Sequence, residues 1–253
     1  MSLQVLDAVY AGGCRHIDTA HIYADSEALL GKWFKKTGKR DDEIFLATKF
    51  GITTQGPCGD PEFVKEQFTT SLERLGVETI DLYYQHKCIR AYFPSRSVKH
   101  SMMFCREGKV KYLGSSECTA EDLRRAHAVH PISALQVEFS PFVLDIESEE
   151  IGLLKTAREL GVTIVAYSPL ARGLLTGQYK SHDDFEEGDF RRTVPKYRTS
   201  PRVPKILEVV KQIEAIGRKH NATAGQVTLT WILAQGDDFV VIPGTKKIKV
   251  RIS

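Results

Sequence analysis

Short runs of β-branched and aromatic residues alternate along this chain with stretches in which apolar residues recur every three or four positions, and that alternation predicts the order of elements. The first stretch is helical, from Leu3 to Tyr10, and closes at Gly12 and Gly13. A strand over His16–Asp18 follows, then a helix over Ser26–Lys36 in which Leu29, Leu30, Trp33 and Phe34 form one stripe. Next come a strand Ile44–Lys49, a helix Pro61–Leu75 opened by Asp60 and Pro61, and a strand Thr79–Gln85. After a weakly patterned segment, a strand Val110–Gly114 leads to a helix Thr119–Val129, whose first four residues, Thr-Ala-Glu-Asp, are of the capping-box type. The second half repeats the theme with strand Ala134–Phe139, helix Glu149–Leu160 and strand Thr163–Tyr167. A long polar loop from Arg172 to Pro204 interrupts it before helical patterns over Lys205–Lys219 and Ala224–Ala234 and a last strand, Phe239–Ile242.

Seven strands alternating strictly with helices predict an all-parallel sheet, and 253 residues suit one (β/α)8 barrel domain spanning 1–253 with one strand missing. No G-x-G-x-x-G follows any strand, so the doubly wound dinucleotide fold loses weight.

Composition narrows the function classes. With 42% hydrophobic and 26% charged residues the chain reads as a soluble globular protein. No stretch approaches the roughly 18 apolar residues of a membrane span, and the first residues lack a signal-peptide layout, so membrane and secretory readings are set aside. The formal charge is +3, but Lys246, Lys247, Lys249 and Arg251 sit in the last eight residues; without these four the body is at 3 − 4 = −1. That leaves no basic face of the size a nucleic acid needs. Five cysteines, at 14, 58, 88, 105 and 118, are odd in number and lack C-x-x-C spacing, which argues for a reduced, cytoplasmic setting without disulfides or structural zinc.

In a parallel barrel, chemistry sits at the C-terminal ends of the strands. Those positions bring Asp18, Tyr23 just beyond the same strand, Lys49 and His86. The set suits proton transfer to a carbonyl: a tyrosine is a poor acid at neutral pH, a neighbouring ammonium favours its phenolate, and Asp18 would hold Lys49 charged and in place. His86 would orient the carbonyl oxygen or share in the proton transfer. Taken singly, Asp18 and Lys49 are as well explained as an ion pair at a barrel rim and His86 as a hydrogen-bonded core histidine; four such residues at successive strand ends favour chemistry. A metallohydrolase site is the competing chemistry, since His16 and Asp18 share one face of a strand and Lys49 and His86 follow. The later strand ends offer Ser116 and Gln136 rather than His or carboxylate, so a metal would be under-ligated and none is expected.

These stretches resemble the aldo-keto reductase superfamily, in particular its pyridoxal reductase-like and perakine reductase-like branch. The matching blocks are residues 16–23 with 26–31, 45–51, 81–86, 107–114, 134–138, 166–173 and 242–246, in the family's order over nearly the whole chain. The resemblance implies a metal-free TIM barrel that transfers hydride from NADPH to the carbonyl of a small-molecule aldehyde or ketone. It carries the catalytic tetrad to Asp18, Tyr23, Lys49 and His86, with Tyr23 the general acid. It carries nicotinamide contacts to Ser116, Gln136 and the stacking Tyr167, the pyrophosphate-side loop to Ser168, Leu170 and Gly173, and the adenosine-phosphate site to Gly244, Thr245 and Lys246. A lysine at 246 suits the 2′-phosphate of NADPH.

The family's opening hairpin and first barrel strand have no counterpart before Met1, and its adenine clamp and last helix none after Lys249, so the barrel is expected to lack its first strand and last helix. The block Cys88–Cys105 lacks the family's amphipathic helix pattern. A barrel opened in this way exposes edge groups. The second functional reading is accordingly an impaired reductase remnant that binds cofactor or a partner protein. Neither the natural substrate nor the oligomeric state is legible in the sequence.

Overall fold

A computed structural model describes residues 2–40, 43–53, 56–86, 97–179, 184, 187–188 and 203–245. In chain order the elements are α1 (Leu3–Ala11), β1 (His16–Asp18), α2 (Ser26–Thr37), β2 (Phe45–Phe50), β3 (Ile52–Thr53), β4 (Gly56–Pro57), α3 (Pro61–Leu75), β5 (Ile80–Gln85), α4 (Ser97–Arg106), β6 (Val110–Ser116), α5 (Ala120–Val129), β7 (Ile132–Glu138), α6 (Leu153–Glu159), β8 (Thr163–Tyr167), α7 (Val203–Lys219), α8 (Ala224–Leu233) and β9 (Phe239–Val241). The contacts divide the chain into two compact units. One holds residues 1–137, 146–165 and 245–253, the other residues 138–145 and 166–244.

In the first unit the strands run in the order β1-β2-β5-β6-β7-β8, and the pairings from β1 through β7 are all parallel. This is the expected parallel sheet with interspersed helices, part of a (β/α)8 barrel. Its helix-covered face is sealed by Leu6, Leu30, Trp33, Phe34, Ile44, Leu46 and Leu75. The buried indole of Trp33 donates from Nε1 to Asp7 Oδ1 at 2.7 Å, so α1 and α2 are joined by a polar bond inside an apolar contact. Helices α2 and α3 approach so closely that a Cβ on Gly31 would stand 3.0 Å from the Leu75 carbonyl and closer still to that of Arg74. Tyr83 lies between Phe50, stacked at 4.7 Å, and the edge of Phe68 at 5.2 Å.

In the second unit β9 lies beside the last residues of β8, where Ile242 N–H donates to Ala166 O at 3.2 Å. Its core gathers Ala171, Leu174, Leu175, Val210, Ile213 and Ala224. Phe139 stacks on Trp231 at 5.6 Å. Thr223 closes a full capping box with Gln226 at the start of α8. Among the described residues no helix is long and apolar enough to cross a membrane.

The structure departs from the sequence pattern in three places. Residues 97–106 form α4, although the segment carries no clear amphipathic signal, because the burial there is not where hydropathy points. Ser101 is buried between Val98 and Phe104, while Met103 is half exposed. Phe104 stacks on Phe68 of α3 at 3.9 Å, a contact with a distant helix that local periodicity cannot report. The helix expected over 149–160 is shorter: Gly152 at φ 60° precedes α6, and the residues before it turn. Finally, β3 and β4 pair as a small antiparallel hairpin, Ile52 opposite Pro57, directly after β2.

Candidate active site

Strand register decides which side chains share a surface. Asp18 lies beside Ala47, Lys49 beside Tyr84, Tyr84 beside Gly114, and Ser116 beside Gln136. Because side chains alternate across a strand, Asp18, Lys49, Tyr84, Ser116 and Gln136 fall on one face of the sheet, while Leu46, Thr48 and Tyr83 fall on the helix-covered face. The C-terminal ends of five neighbouring strands thus present their polar residues together. Gly114 is needed there: a Cβ would stand 2.6 Å from Tyr84 Cε1 and closer still to Cδ1, so only glycine lets the phenol ring lie across the next strand.

The centre of the face is the Lys49–Asp18 ion pair, with side-chain exposures of 0% and 7%. Lys49 Nζ also donates to Thr19 O at 2.8 Å, and Gln136 Nε2 donates to Asp18 Oδ2 at 2.9 Å. Each charge therefore has a charged partner and one further hydrogen bond, which is what a buried pair requires. Burial pulls the Lys49 amine down from its usual range, and the Asp18 charge and hydrogen bond oppose that shift. Lys49 Nζ lies 5.2 Å from the Tyr23 ring centroid and 5.7 Å from that of Tyr84.

Tyr23 meets His86 edge-on, with ring centroids 5.6 Å apart and planes at 85°. The structure thus brings together all four residues expected to form the reactive set. The net shift of the tyrosine is upward: partial burial first, and the Asp18 carboxylate second, push the Tyr23 phenol up to about 12. His86 moves the other way: burial, then the positive charges of Lys49 and His21, bring it down to about 4, so its ring is neutral near pH 7. Its backbone N–H donates to Phe50 O at 2.8 Å, while Nδ1 is buried without a partner.

The loop carrying Tyr23 is tied down by residues the sequence did not single out. Thr19 Oγ1 donates to Ser26 Oγ at 2.8 Å, and the buried Glu27 accepts from Thr48 Oγ1 at 2.7 Å while its other oxygen lies 3.6 Å from Arg74 Nη1. Both ring nitrogens of His21 meet backbone carbonyls, Nδ1 that of Lys49 and Nε2 that of Ile52. In the sequence Glu27 is only an acid on the first turn of a helix, where exposure is usual, so its burial gave no signal, and His21 carried none either.

Of the residues expected to hold a cofactor, Ser116 and Gln136 sit side by side at the ends of β6 and β7. A hydroxyl beside an amide offers the donors and acceptors that a carboxamide needs, so these two fit the nicotinamide of the implied cofactor. In the second unit Tyr167 ends β8, and Ser168 (φ 50°), Ala171 (φ 46°), Arg172 (φ 56°) and Gly173 (φ 97°) give the following turn a concentration of left-handed conformations, while Leu170 in the same turn is at φ −98°. Such conformations are sparse for non-glycine residues and cluster at ligand-binding loops. Gly244 has open space around its Cα, and Thr245 follows it. Lys246 lies outside the described residues. Among the described residues no three His, Cys, Asp or Glu side chains gather closely enough to hold a metal ion.

Comparison with known proteins gives this geometry its context. The aldo/keto reductase family model matches residues 1–250. The chain is 68% identical over 246 residues to aldo-keto reductase str7 of Strobilurus tenacellus, covering 97% of this chain and 73% of that one. It is 48% identical over 246 residues to the NADP(+) aldo-keto reductase yakc of Schizosaccharomyces pombe, covering 94% and 72%. Among solved structures, the glycerol dehydrogenase AKR11B4 from Gluconobacter oxydans superposes with a TM-score of 0.88 at 26% identity, covering 99% of this chain and 77% of that one. The thermostable aldo-keto reductase Tm1743 gives 0.74 at 26% identity, covering 98% and 78%. A match over almost the whole chain, at identities far above what fold likeness alone produces, makes this protein a member of the aldo/keto reductase family and an NADP-dependent oxidoreductase.

Proposed function

We propose that the protein reduces the carbonyl of a small-molecule aldehyde or ketone to an alcohol, with Tyr23 as the general acid. The observation that carries this reading is the convergence of Tyr23, His86 and the buried Lys49–Asp18 pair at the C-terminal ends of adjacent strands. NADPH, when bound, supplies the hydride. Ser116 and Gln136 would hold its carboxamide and Tyr167 its ring, while Ser168, Leu170, Gly173, Gly244, Thr245 and Lys246 would take its phosphates.

The proton chemistry follows from the chain's own groups. A phenol at about 12 is a weak acid toward water, but a carbonyl oxygen that gains negative charge becomes an alkoxide, a stronger base than phenolate, and the transfer from Tyr23 Oη then runs downhill. As the phenolate forms, the Lys49 ammonium 5.2 Å from the ring stabilises it in a site of low dielectric. Asp18 keeps that ammonium in place, and Gln136 keeps Asp18 in place. A neutral His86 can donate a hydrogen bond to the substrate oxygen without competing as a stronger acid for the same transfer.

The test begins with NADPH titration of the purified chain, following fluorescence of Trp33 and Trp231, and continues with NADPH oxidation in the presence of an aromatic aldehyde. Turnover that is abolished in Tyr23→Phe while NADPH affinity persists supports the reading. Saturable NADPH binding without turnover on any carbonyl would favour the impaired binding protein instead.

A further inference from the structure

His21 lies three residues past Asp18, in the loop that carries Tyr23, and the environment of its ring is unusual. Nδ1 is 2.8 Å from Lys49 O and Nε2 is 2.8 Å from Ile52 O. A carbonyl oxygen only accepts, so a ring that satisfies both contacts carries a proton on each nitrogen. A neutral imidazole would press one lone pair against a carbonyl lone pair at hydrogen-bond distance. We propose that His21 is an imidazolium clamp joining the Tyr23 loop to the end of β2 and to the β3–β4 hairpin, and that it is thereby a positioning residue for Tyr23.

The backbone around it agrees with that role. His21 N–H donates to the same Lys49 carbonyl at 3.1 Å, so the oxygen one peptide from the Lys49 side chain accepts twice from one residue. Tyr23 N–H returns to Ala20 O at 3.0 Å, and Ala24 at φ 48° completes a tight turn that β1 and α2 alone would not hold. A side chain two residues from Tyr23 thus fixes the turn at both edges. The clamp also links Ile52, and through it the hairpin, to the same loop.

A cation at this place must coexist with others. From β2 it faces Lys49, whose charge is matched by Asp18; from α3 it faces Arg74, which donates to His21 O at 3.3 Å and lies 3.6 Å from Glu27, and Phe63, edge-on at 6.4 Å. From the end of β5 it faces His86, which is neutral near pH 7 in part because of the positive charge on His21. Two carbonyl dipoles aimed at the ring supply the compensation. The clamp therefore has a second effect besides holding Tyr23: it helps keep His86 a neutral hydrogen-bond donor.

The role rests on the reading of Tyr23 as the acid, and the experiment separates the two. Nitrogen-15 NMR of the histidine-labelled full chain at pH 7 should show one ring with both nitrogens protonated, and His21→Gln should remove that signal. A glutamine has its donors on a single nitrogen, so it does not bridge the two carbonyls as two ring nitrogens do, and it carries no charge. It should lower kcat on the order of 10- to 100-fold with NADPH affinity unchanged, and should move the acidic limb of the kcat profile to higher pH as His86 loses a positive neighbour. His21→Arg, a charged residue with several donors, should recover part of the loss. A singly protonated ring at position 21, or full kcat in His21→Gln once its signal has gone, would overturn the clamp. If Tyr23→Phe keeps its activity, the acid assignment fails while the ring signal at His21 is still read directly. The wild-type spectrum decides the protonation even if the glutamine variant does not fold.

Discussion

Substituting alanine at Gly114 should damage the site from below, and the size of the effect can be worked from the geometry. The new Cβ would stand 2.6 Å from Tyr84 Cε1 and closer to Cδ1, where ordinary contact is 3.4–4 Å. The ring must therefore retreat by roughly 1 Å in a region packed at crystal-like density. The strand cannot yield instead, because the same Cβ is 3.1 Å from Ala134 O on the neighbouring strand. Tyr84 is completely buried, and its ring lies under Lys49 Nζ at 5.7 Å, so its displacement reaches the ion pair. Overpacking of this kind costs about 1–3 kcal/mol, which in a chain of this size lowers Tm by about 2–12 °C. The assay is a double-mutant cycle by thermal or urea denaturation. Tyr84→Val removes every ring carbon the methyl would strike while keeping a β-branched strand residue. In that background Gly114→Ala should become nearly neutral, giving a coupling energy of about 1 kcal/mol or more. Equal costs of Gly114→Ala with Tyr84 and with Val at 84 would refute the steric argument.

Three further outcomes follow from the same structure. Lys49→Met leaves the Asp18 carboxylate buried with Gln136 as its remaining side-chain donor, and should cost about 3–5 kcal/mol in urea denaturation; adding Asp18→Asn should return most of it, and a single-variant cost below about 1 kcal/mol would contradict a buried pair. His86 takes its proton near 4 in the folded chain against about 6.5 unfolded, so the unfolded state binds more protons between those values and stability falls as pH drops from about 6.5 to about 4. Burial shifts His16 in the same direction; melting temperatures across that window should decline in the wild type and decline less in His86→Asn, whereas equal slopes would count against a depressed His86. At the start of α8, Thr223→Ala opens the capping box and should cost about 1 kcal/mol, while Thr223→Ser should be nearly silent in the same melt.

Much of this protein is readable without coordinates. The alternation of β-branched runs with 3.6-periodic stretches placed His16–Asp18, Pro61–Leu75 and Thr163–Tyr167 at their observed bounds, because both signals come from burying one face of an element and both are local. Once the strands were known, the rule that parallel sheets present chemistry at their C-terminal ends led to Asp18, Lys49 and His86, and Tyr23 followed from the first loop. What local pattern could not reach was anything set by a neighbour far along the chain. Helix α4 is held by Phe104 against Phe68, with Ser101 buried and Met103 half exposed, so hydropathy alone does not report its buried face. The shift of Tyr23 upward rather than downward came from its partial burial and from the Asp18 carboxylate, a balance that requires the folded surroundings. The roles of Gly114 and His21 arise from a ring on the adjacent strand and from two carbonyls about 30 residues away. Sequence by itself determined which residues lie at which strand ends, since periodicity is a property of one element. The tertiary structure alone decided which charges compensate each other and which contacts hold the reactive groups still, because electrostatics and packing depend on what the fold places next to them.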